Sequence, residues 1–413
     1  MSENAESKTR VTAGLRGASW NPALLPPAMR TSVHALRTED GAAVVGYLHA
    51  IGGESTVVFI MHPRELLVSH YLVPYLVSAG FACWVQGPRT VGNDLRLEHE
   101  FAVLDVAAGL VKLRELGFAD VVMLGNSGGA SLFAFYNQQS LLAPERRIAK
   151  TPAGRPTGLG KASLPEATGF ILIAPHPGQG QLLLNLIDPS VTDEADPFSV
   201  DPALDPFSPA NGYAATGASY SAEFLERYRA AQLRRVQKID DAALAMVTER
   251  QTARAKLKEG DLSARRAAAF SGVFEIWRTD ADPRCFDLSL DPSDRRFGTV
   301  WGADPIASNL GSVGFARVCT PESWLSTWSG LSSNASFAKS GGQMRQPVLM
   351  IEYTGDNTVF PSDNDKIFAS IASAAKSRHR VRGNHHGQAL AEGDPLGQDI
   401  SGGLVVEWLR AAR

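Results

Sequence analysis

The stretch "DVVMLGNSGGASLFAFYNQQ", which begins at Asp120, joins a short apolar run to a helical pattern through a serine set between glycines. A short run of apolar and β-branched residues bounded by glycine is typical of a strand in a sheet covered on both faces. Similar runs alternate with helical patterns in "STVVFIMHP", "FACWVQGPRT", "GFILIAPHPG" and "QPVLMIEYTGD". This alternation predicts parallel βαβ units, and therefore an α/β fold with a mostly parallel, doubly wound sheet.

The alternation is interrupted over residues 178–343. The interruption begins with a stretch rich in Asp-Pro pairs and continues with a one-sided helical pattern that includes Leu225, Val236 and Ile239. We therefore expect a large, mainly helical cap domain, inserted before the strand that precedes Asp356.

The rest of the chain divides into a tail and a core. The expected organisation is an N-terminal tail (1–30), an α/β core (31–177 and 344–413) and the cap (178–343). The excursion is much longer than a connection requires, and long excursions inside a compact domain are usually functional.

Composition narrows the classes of partner and compartment. The 413 residues carry a formal net charge of −3, which does not favour a nucleic-acid or anionic-membrane partner. The sequence lacks an apolar run of the ~20 residues that cross a bilayer, and its N-terminus lacks the apolar segment of a signal peptide. The cysteines are Cys83, Cys285 and Cys319, and their wide spacing fits neither a zinc site nor a disulfide framework. We expect a cytoplasmic protein.

Ser127 lies in a Gly-x-Ser-x-Gly pattern that runs from Gly125 to Gly129. A tight strand-to-helix turn holds a serine hydroxyl exposed, and the following helix aims its N–H groups at a developing oxyanion. The alternatives are a plain turn or a phosphate-binding loop. The glycine spacing is not that of a dinucleotide or P-loop motif, so phosphate binding is disfavoured.

Two further groups follow Ser127 in chain order. Asp356 comes just after a predicted buried strand, at the sheet edge where open α/β proteins assemble their sites. Its alternative role is that of a turn residue. His385 and His386 lie in a glycine-bounded loop after the next strand, and Asp188 is a less favourable second choice for the acid.

In these features the sequence resembles the α/β-hydrolase superfamily, over 31–177 and 345–413. The resemblance rests on the glycine-flanked serine and on the order Ser…Asp…His. It implies that Ser127 is the nucleophile and that Asp356 orients a histidine base. The superfamily often has Gly-x-x-His in the last loop, which favours His386 as the base and leaves His385 as the alternative.

The resemblance also implies an oxyanion hole of two backbone N–H groups. One is expected from Gly128 and the other from the loop after the strand "VVFIM". The family commonly has His-Gly in that loop, whereas this chain has His62-Pro63-Arg64; proline has no N–H, so Arg64 is the second expected donor. His62 is expected to brace the loop rather than carry protons, and His176 to be a turn residue or to line the pocket.

No cofactor or metal is expected. The Asp-rich stretch in the cap lacks EF-hand spacing, and Asp before Pro is mostly turn chemistry. The basic residues of the long cap helix raise the possibility of a phosphorylated carrier such as coenzyme A, but a solvated helix face is the commoner explanation; these residues are Arg227, Arg229, Arg234, Arg235 and Lys238.

The sequence thus predicts a serine hydrolase that cleaves a carboxylic ester or related acyl bond of a small, largely apolar or aromatic substrate. Alternatives on the same fold are an acyltransferase or thioesterase, a carbon–carbon bond hydrolase, and a non-catalytic ligand receptor. The cap is expected to cover Ser127, with its apolar stripe and tryptophans lining the pocket. The alternative is that these side chains form the cap's own core or a homodimer contact; the tryptophans are Trp277, Trp301, Trp324 and Trp328.

Overall fold

The computed structural model describes residues 19–92 and 94–411. Most of the predicted tail therefore lies outside the described residues. Within them, eight strands form one sheet in the order β1-β2-β4-β3-β5-β6-β9-β10, and β7 pairs with β8. The strands are β1 (Arg30–Arg37), β2 (Ala43–Ala50), β3 (Thr56–Met61), β4 (Ala82–Gln86), β5 (Asp120–Asn126), β6 (Gly169–Ile173), β7 (Phe274–Glu275), β8 (Val318–Cys319), β9 (Val348–Tyr353) and β10 (Lys376–Val381).

The sheet is mostly parallel. Strand β2 runs antiparallel to β1 and β4, and the pairs from β4 through β10 are parallel. The carboxyl ends of β3, β5, β6, β9 and β10 therefore share one edge of the sheet. This confirms the predicted fold class and places the loops that carry Ser127, Asp356 and the His385–His386 pair at that edge.

Helices connect the strands and form the segment between β6 and β9. They are α1 (Val73–Ser78), α2 (His99–Glu115), α3 (Gly128–Leu141), α4 (Gln179–Leu186), α5 (Ala222–Lys258), α6 (Arg265–Ala269), α7 (Pro305–Leu310), α8 (Pro321–Ser323), α9 (Phe337–Ser340), α10 (Pro361–Ser370) and α11 (Gly397–Ala411). A π-helical turn, Trp324–Trp328, follows α8. In the described part of the chain, no helix combines the length and hydrophobicity of a membrane span.

The sheet is covered on both faces because successive side chains of a strand point to opposite sides. On β3, Phe59 belongs to the core cluster formed with α2 and α3, whereas Ile60 belongs to the cluster formed with α1 and α11. Both side chains are fully buried. Two buried faces explain why the strands appear as continuous apolar runs rather than as alternating ones.

Residues 174–347, between β6 and β9, form a long segment that we call the insertion. Its longest helix, α5, begins at a side-chain cap, where Ser221 Oγ accepts a hydrogen bond from the N–H of Phe224 at 3.1 Å. The predicted stripe residues Val236 and Ile239 pack in a buried cluster with Trp324 and Trp328. These four side chains therefore belong to the packing of the insertion, in a cluster that also includes Leu97 and Ala153 from outside it.

Ion pairs account for two of the basic residues of α5. Arg235 pairs with Glu194 at 2.7 Å, and Arg229 pairs with Asp282 at 2.7 Å. Asp188, the second choice for the acid, is buried beside Arg278 at 2.5 Å. These contacts place Asp188 within the insertion's packing.

The Asp-rich stretch forms a series of turns. Asp193, Asp196, Asp201 and Asp205 each accept, through Oδ1, a hydrogen bond of 2.9 Å from the N–H two residues further on. This is the side-chain-to-backbone pattern of Asx turns, which explains why aspartate recurs there.

Two adjacent glycines of α11 provide a test of the packing between α11 and α1. A Cβ on Gly402 would lie 2.5 Å from the ring of Tyr75 in α1, whereas no atom lies within 4 Å of a Cβ on Gly403. We expect Gly402→Ala to destabilise the protein by about 1–3 kcal/mol through overpacking. Gly403→Ala should stabilise it by about 0.5–1 kcal/mol, because alanine favours the helix. Thermal unfolding of both variants checks this, and equal shifts would contradict the α1–α11 contact.

Candidate active site

The backbone of Ser127 is strained. It lies between β5 and α3 with φ 57° and ψ −122°, a conformation that non-glycine residues rarely adopt. The Ser127 N–H and the Asn126 side-chain amide both donate to the carbonyl of Ile173, at 2.8 and 3.0 Å. These bonds tie the turn to the end of β6 and hold the serine at the carboxyl edge of the sheet.

The neighbouring glycines allow α3 to pack closely behind the turn. A Cβ on Gly125 would lie 2.5 Å from the backbone N of Ala130, and one on Gly129 would lie 2.3 Å from the carbonyl oxygen of Met61. Because backbone atoms cannot move aside as a flexible side chain can, a larger residue would displace the helix. The Gly-x-Ser-x-Gly pattern is thus a packing requirement of this strand–turn–helix unit.

His385 lies between Ser127 and Asp356. Its Nδ1 is 2.7 Å from Asp356 Oδ2, and its Nε2 is 3.1 Å from Ser127 Oγ. The other carboxylate oxygen of Asp356 accepts hydrogen bonds from the N–H groups of Thr358 and Val359, at 2.7 and 3.2 Å. The three side chains therefore form a connected acid–imidazole–hydroxyl series, and all three are buried.

Asp356 is held as a carboxylate. Its burial alone would raise its pKa, but the charge of His385 and the hydrogen bonds to Oδ2 and Oδ1 hold the pKa below its ordinary value.

The structure corrects the expectation that His386 occupies this position. The loop turns so that Asn384 Oδ1 accepts the N–H of His386 at 2.9 Å, and the His386 ring then packs edge-on against His385, with centroids 4.9 Å apart. Burial and the adjacent His385 lower the pKa of His386 to about 3. Its Nδ1 is buried with no hydrogen-bond partner among the described residues.

A second histidine contacts the serine hydroxyl. His176 Nε2 lies 2.8 Å from Ser127 Oγ, and its Nδ1 lies 3.2 Å from Gln179 Oε1. Its ring stacks on His385 with centroids 5.4 Å apart. Burial, reinforced by His385, lowers the pKa of His176 to about 3, so this imidazole is neutral at physiological pH. His176 thus lines the pocket, as one of its two sequence interpretations allowed.

The expected donor role of Arg64 does not fit its hydrogen bonding. The Arg64 N–H donates to His62 Nδ1 at 3.1 Å, and the Glu65 N–H donates to the same atom at 3.2 Å. The Arg64 guanidinium is bound by Asp94, with contacts of 2.6 and 2.7 Å. His62 Nδ1 thus accepts two N–H groups of its loop, including the one that was expected to face the substrate. The Gly128 N–H remains, because the first N–H of a helix has no partner within it.

The pocket above Ser127 is lined by residues of both the α/β core and the insertion. Its wall includes the apolar side chains of Val300, Trp301 and Phe315 from the insertion. Trp324 and Trp328 are fully buried instead, and Trp277 lies under the guanidinium of Arg317 at 4.3 Å. The remaining lining residues are His62, Arg64, Glu65, Ser127, His176, Gln179, Thr358, His385 and His386.

Gln179 and Phe315 are pocket residues that the sequence did not indicate. Gln179 follows the β6 strand by six positions and belongs to no motif, so only its place at the start of α4 brings it to the site. Within residues 19–92 and 94–411, no cluster of histidine, cysteine, aspartate or glutamate has an arrangement that could hold a metal ion.

The sequence matches no protein-family model and has no significant match among curated proteins. Solved structures give distant matches. DcsB, determined in complex with a substrate analogue, is 13% identical, with a TM-score of 0.48 over 93% of this chain and 99% of that one. The α/β hydrolase GrgF from a Penicillium species is 12% identical, with a TM-score of 0.45 over 93% and 98%. The esterase Pf2001 from Pyrococcus furiosus is 10% identical, with a TM-score of 0.42 over 95% and 94%.

The sheet order, the antiparallel second strand and the strained serine after β5 occur together, with an acid after β9 and a histidine after β10. The fold is that of the α/β-hydrolase superfamily.

Proposed function

We propose that this protein is a serine hydrolase that cleaves a carboxylic ester or a related acyl bond through an acyl-enzyme. The observation that carries the proposal is the position of His385, within hydrogen-bond distance of both Ser127 Oγ and Asp356 Oδ2. This arrangement supplies a nucleophile, a base and a group that orients the base.

In the first half-reaction, Ser127 Oγ attacks the carbonyl carbon while its proton passes to His385 Nε2. The carbonyl π pair moves onto oxygen and gives a tetrahedral oxyanion. When this intermediate collapses, the bond to the leaving oxygen breaks and His385 gives that oxygen the proton. The products are an acyl ester of Ser127 and a free alcohol.

In the second half-reaction, water replaces the alcohol. His385 takes a proton from the water as its oxygen attacks the acyl carbon, and the proton then passes to Ser127 Oγ as the acyl bond breaks. The free acid leaves and the serine hydroxyl is restored. Both halves use side chains of this chain and water.

His385 rather than His176 serves as the base. Both Nε2 atoms lie near Ser127 Oγ, at 3.1 and 2.8 Å, so distance does not separate them. The two histidines differ in the partner of Nδ1. Asp356, a carboxylate, stabilises a positive charge on His385, whereas His176 has only the neutral amide of Gln179. Burial and its charged neighbour further disfavour the imidazolium of His176.

The pocket wall supports a small, largely apolar or aromatic acyl group as substrate. We propose that the insertion acts as the cap, because it supplies Val300, Trp301 and Phe315 above the serine. Apolar walls with a few convergent polar groups are typical of small-molecule sites.

Ser127→Ala should abolish labelling by a fluorophosphonate probe and hydrolysis of nitrophenyl esters, because it removes the attacking oxygen. Ser131→Ala is the matched control: Ser131 is also buried in α3, but its hydroxyl bonds to the carbonyl of Gly128 at 3.1 Å. Labelling is read by mass spectrometry. Folded wild-type protein that neither reacts with the probe nor releases acid from the esters would overturn the proposed function.

His385→Ala should lower kcat by about 10⁴–10⁶-fold, whereas His386→Ala should lower it less than about 10-fold. The base must be neutral to accept the serine proton, so kcat/KM should fall as pH falls. Because burial lowers the pKa values of His176 and His386 to about 3, neither should contribute to this fall near neutral pH, and a plot of log(kcat/KM) against pH should have a limiting slope of +1. The reverse ranking of the two variants, or a slope near +2, would contradict this assignment.

Trp301→Ala should change the preference among esters of graded chain length and ring size, because it removes part of the pocket wall. Trp277→Ala is the control, since Trp277 belongs to the same insertion but lies against Arg317. We expect a shift of about 10-fold or more toward bulkier acyl groups in the ratio of kcat/KM values for the first variant only. An unchanged profile would show that Trp301 does not set acyl selectivity.

A further inference from the structure

The proposed reaction develops a negative charge on the carbonyl oxygen, and the site supplies an unusual set of donors for it. The backbone donor expected opposite Gly128 is absent, because the Arg64 N–H is directed to His62 Nδ1. Loss of a single oxyanion-hole donor typically costs about 10²–10³ in kcat, so other groups are expected to provide this stabilisation.

The first such group is His62. Its Nδ1 accepts two backbone hydrogen bonds, from Arg64 and Glu65, and an accepting nitrogen carries no proton. Burial, followed by the charge of Arg64, holds the pKa of His62 well below its ordinary value, so the ring is neutral. A neutral ring with an unprotonated Nδ1 carries its proton on Nε2, and the ring lines the pocket.

The second group is Gln179, whose side chain is 1% exposed. Its Oε1 faces His176 Nδ1, which fixes the amide and turns the NH₂ group away from that histidine. This Nε2 is buried and has no hydrogen-bond partner in the described part of the chain. An unpaired buried donor costs about 1–3 kcal/mol, which makes it a candidate for binding a group that appears only during the reaction.

Both nitrogens lie beside Gly128. A Cβ on Gly128 would be 2.8 Å from Gln179 Nε2 and 3.0 Å from His62 Nε2. Both nitrogens therefore lie close to the start of α3, and His62, Gln179 and Ser127 line the same pocket. Ser127 immediately precedes Gly128, so a carbonyl attacked by Ser127 Oγ would place its oxygen close to the start of α3 and to these two nitrogens.

We propose that the side-chain N–H groups of His62 and Gln179 complete the oxyanion hole beside the Gly128 amide. The inference rests on the proposed acyl chemistry. As the carbonyl π pair moves onto oxygen, that oxygen accepts from His62 Nε2–H, Gln179 Nε2–H and the Gly128 N–H. The donors are neutral and fixed in place, so they stabilise the charge without moving.

Two substitutions at Gln179 separate donation from positioning. Gln179→Met removes the whole amide, whereas Gln179→Glu keeps the oxygen that faces His176 Nδ1 and replaces only the NH₂ group. We expect kcat/KM for a nitrophenyl ester to fall about 10²–10³-fold in Gln179→Met and at least as much in Gln179→Glu, with KM changed less than about 3-fold. If Gln179 acts only by holding His176, the Gln179→Glu variant should be much more active than Gln179→Met. That result would overturn the role of Gln179 as a donor.

His62 allows a similar separation. In His62→Asn, Oδ1 can still accept the Arg64 and Glu65 amides and brace the loop, but no group replaces Nε2–H. We expect a fall in kcat/KM of about 10²–10³-fold with an unchanged thermal midpoint. A kcat/KM of the His62→Asn variant within about 3-fold of the wild-type value would overturn the assignment for His62.

An alkyl trifluoromethyl ketone provides a readout that a structural defect would not reproduce. Ser127 Oγ adds to its carbonyl carbon, the serine proton passes to His385, and the carbonyl oxygen becomes a stable oxyanion. Its inhibition constant should rise by the same factor as kcat/KM falls, in both Gln179→Glu and His62→Asn. Loss of turnover without weaker inhibition would overturn the proposal.

Different outcomes would overturn the proposed hydrolase activity and the proposed oxyanion hole. Absence of Ser127-dependent hydrolysis in the wild-type protein would overturn the proposed function itself. Ser127-dependent hydrolysis with His62 and Gln179 variants that keep their kcat/KM and inhibition constants would overturn only the oxyanion assignment. Complete labelling of each variant by the fluorophosphonate probe after long incubation would show that the serine and its fold remain intact.

Discussion

The left-handed backbone at Ser127 is the constraint on which the site depends. Such a conformation costs about 1–3 kcal/mol for a non-glycine residue, so the surroundings must hold it. They do so through β6: the Ser127 N–H bonds to the carbonyl of Ile173, and the His176 N–H bonds to the carbonyl of Ser127 at 3.1 Å. Ala174, between these two partners, also has a positive φ, of 44°. The two strained turns thus stabilise each other, and their hydrogen bonds place His176 beside the serine.

The two imidazoles that contact the Ser127 hydroxyl differ in their electrostatic environment because their Nδ1 atoms have different partners. A carboxylate behind His385 and a carboxamide behind His176 produce different electrostatic environments within a few ångströms. Stacking of the two rings adds to this difference, because a positive charge on His385 disfavours a second charge on His176. Burial keeps the other histidines that line the pocket, His62, His176 and His386, neutral.

The sequence predicted features that depend on residue patterns, and it failed where individual side-chain hydrogen bonds and tertiary packing decide. Strand periodicity predicted the parallel sheet, and the glycine-flanked serine predicted the strained turn. The choice between His385 and His386 depends on the hydrogen bond that the His386 N–H donates to Asn384 Oδ1, which a spacing rule does not contain. The engagement of the Arg64 amide depends on which way the His62 ring turns. Hydrophobicity likewise does not separate Trp301, in the pocket wall, from Trp324, in the packing of the insertion.

Gln179 is the first residue of α4, and so it belongs to the insertion although its amide contacts His176 at the serine. The insertion therefore contributes to the inner wall of the proposed site, through Gln179, as well as to its apolar wall. If it were replaced by the corresponding segment of another enzyme directly after β6, the exchange would also replace groups that surround the reacting atoms. A graft intended to alter selectivity alone should begin beyond α4, after Leu186, and should end before β9, so that the inner wall of the site stays with the core that positions it.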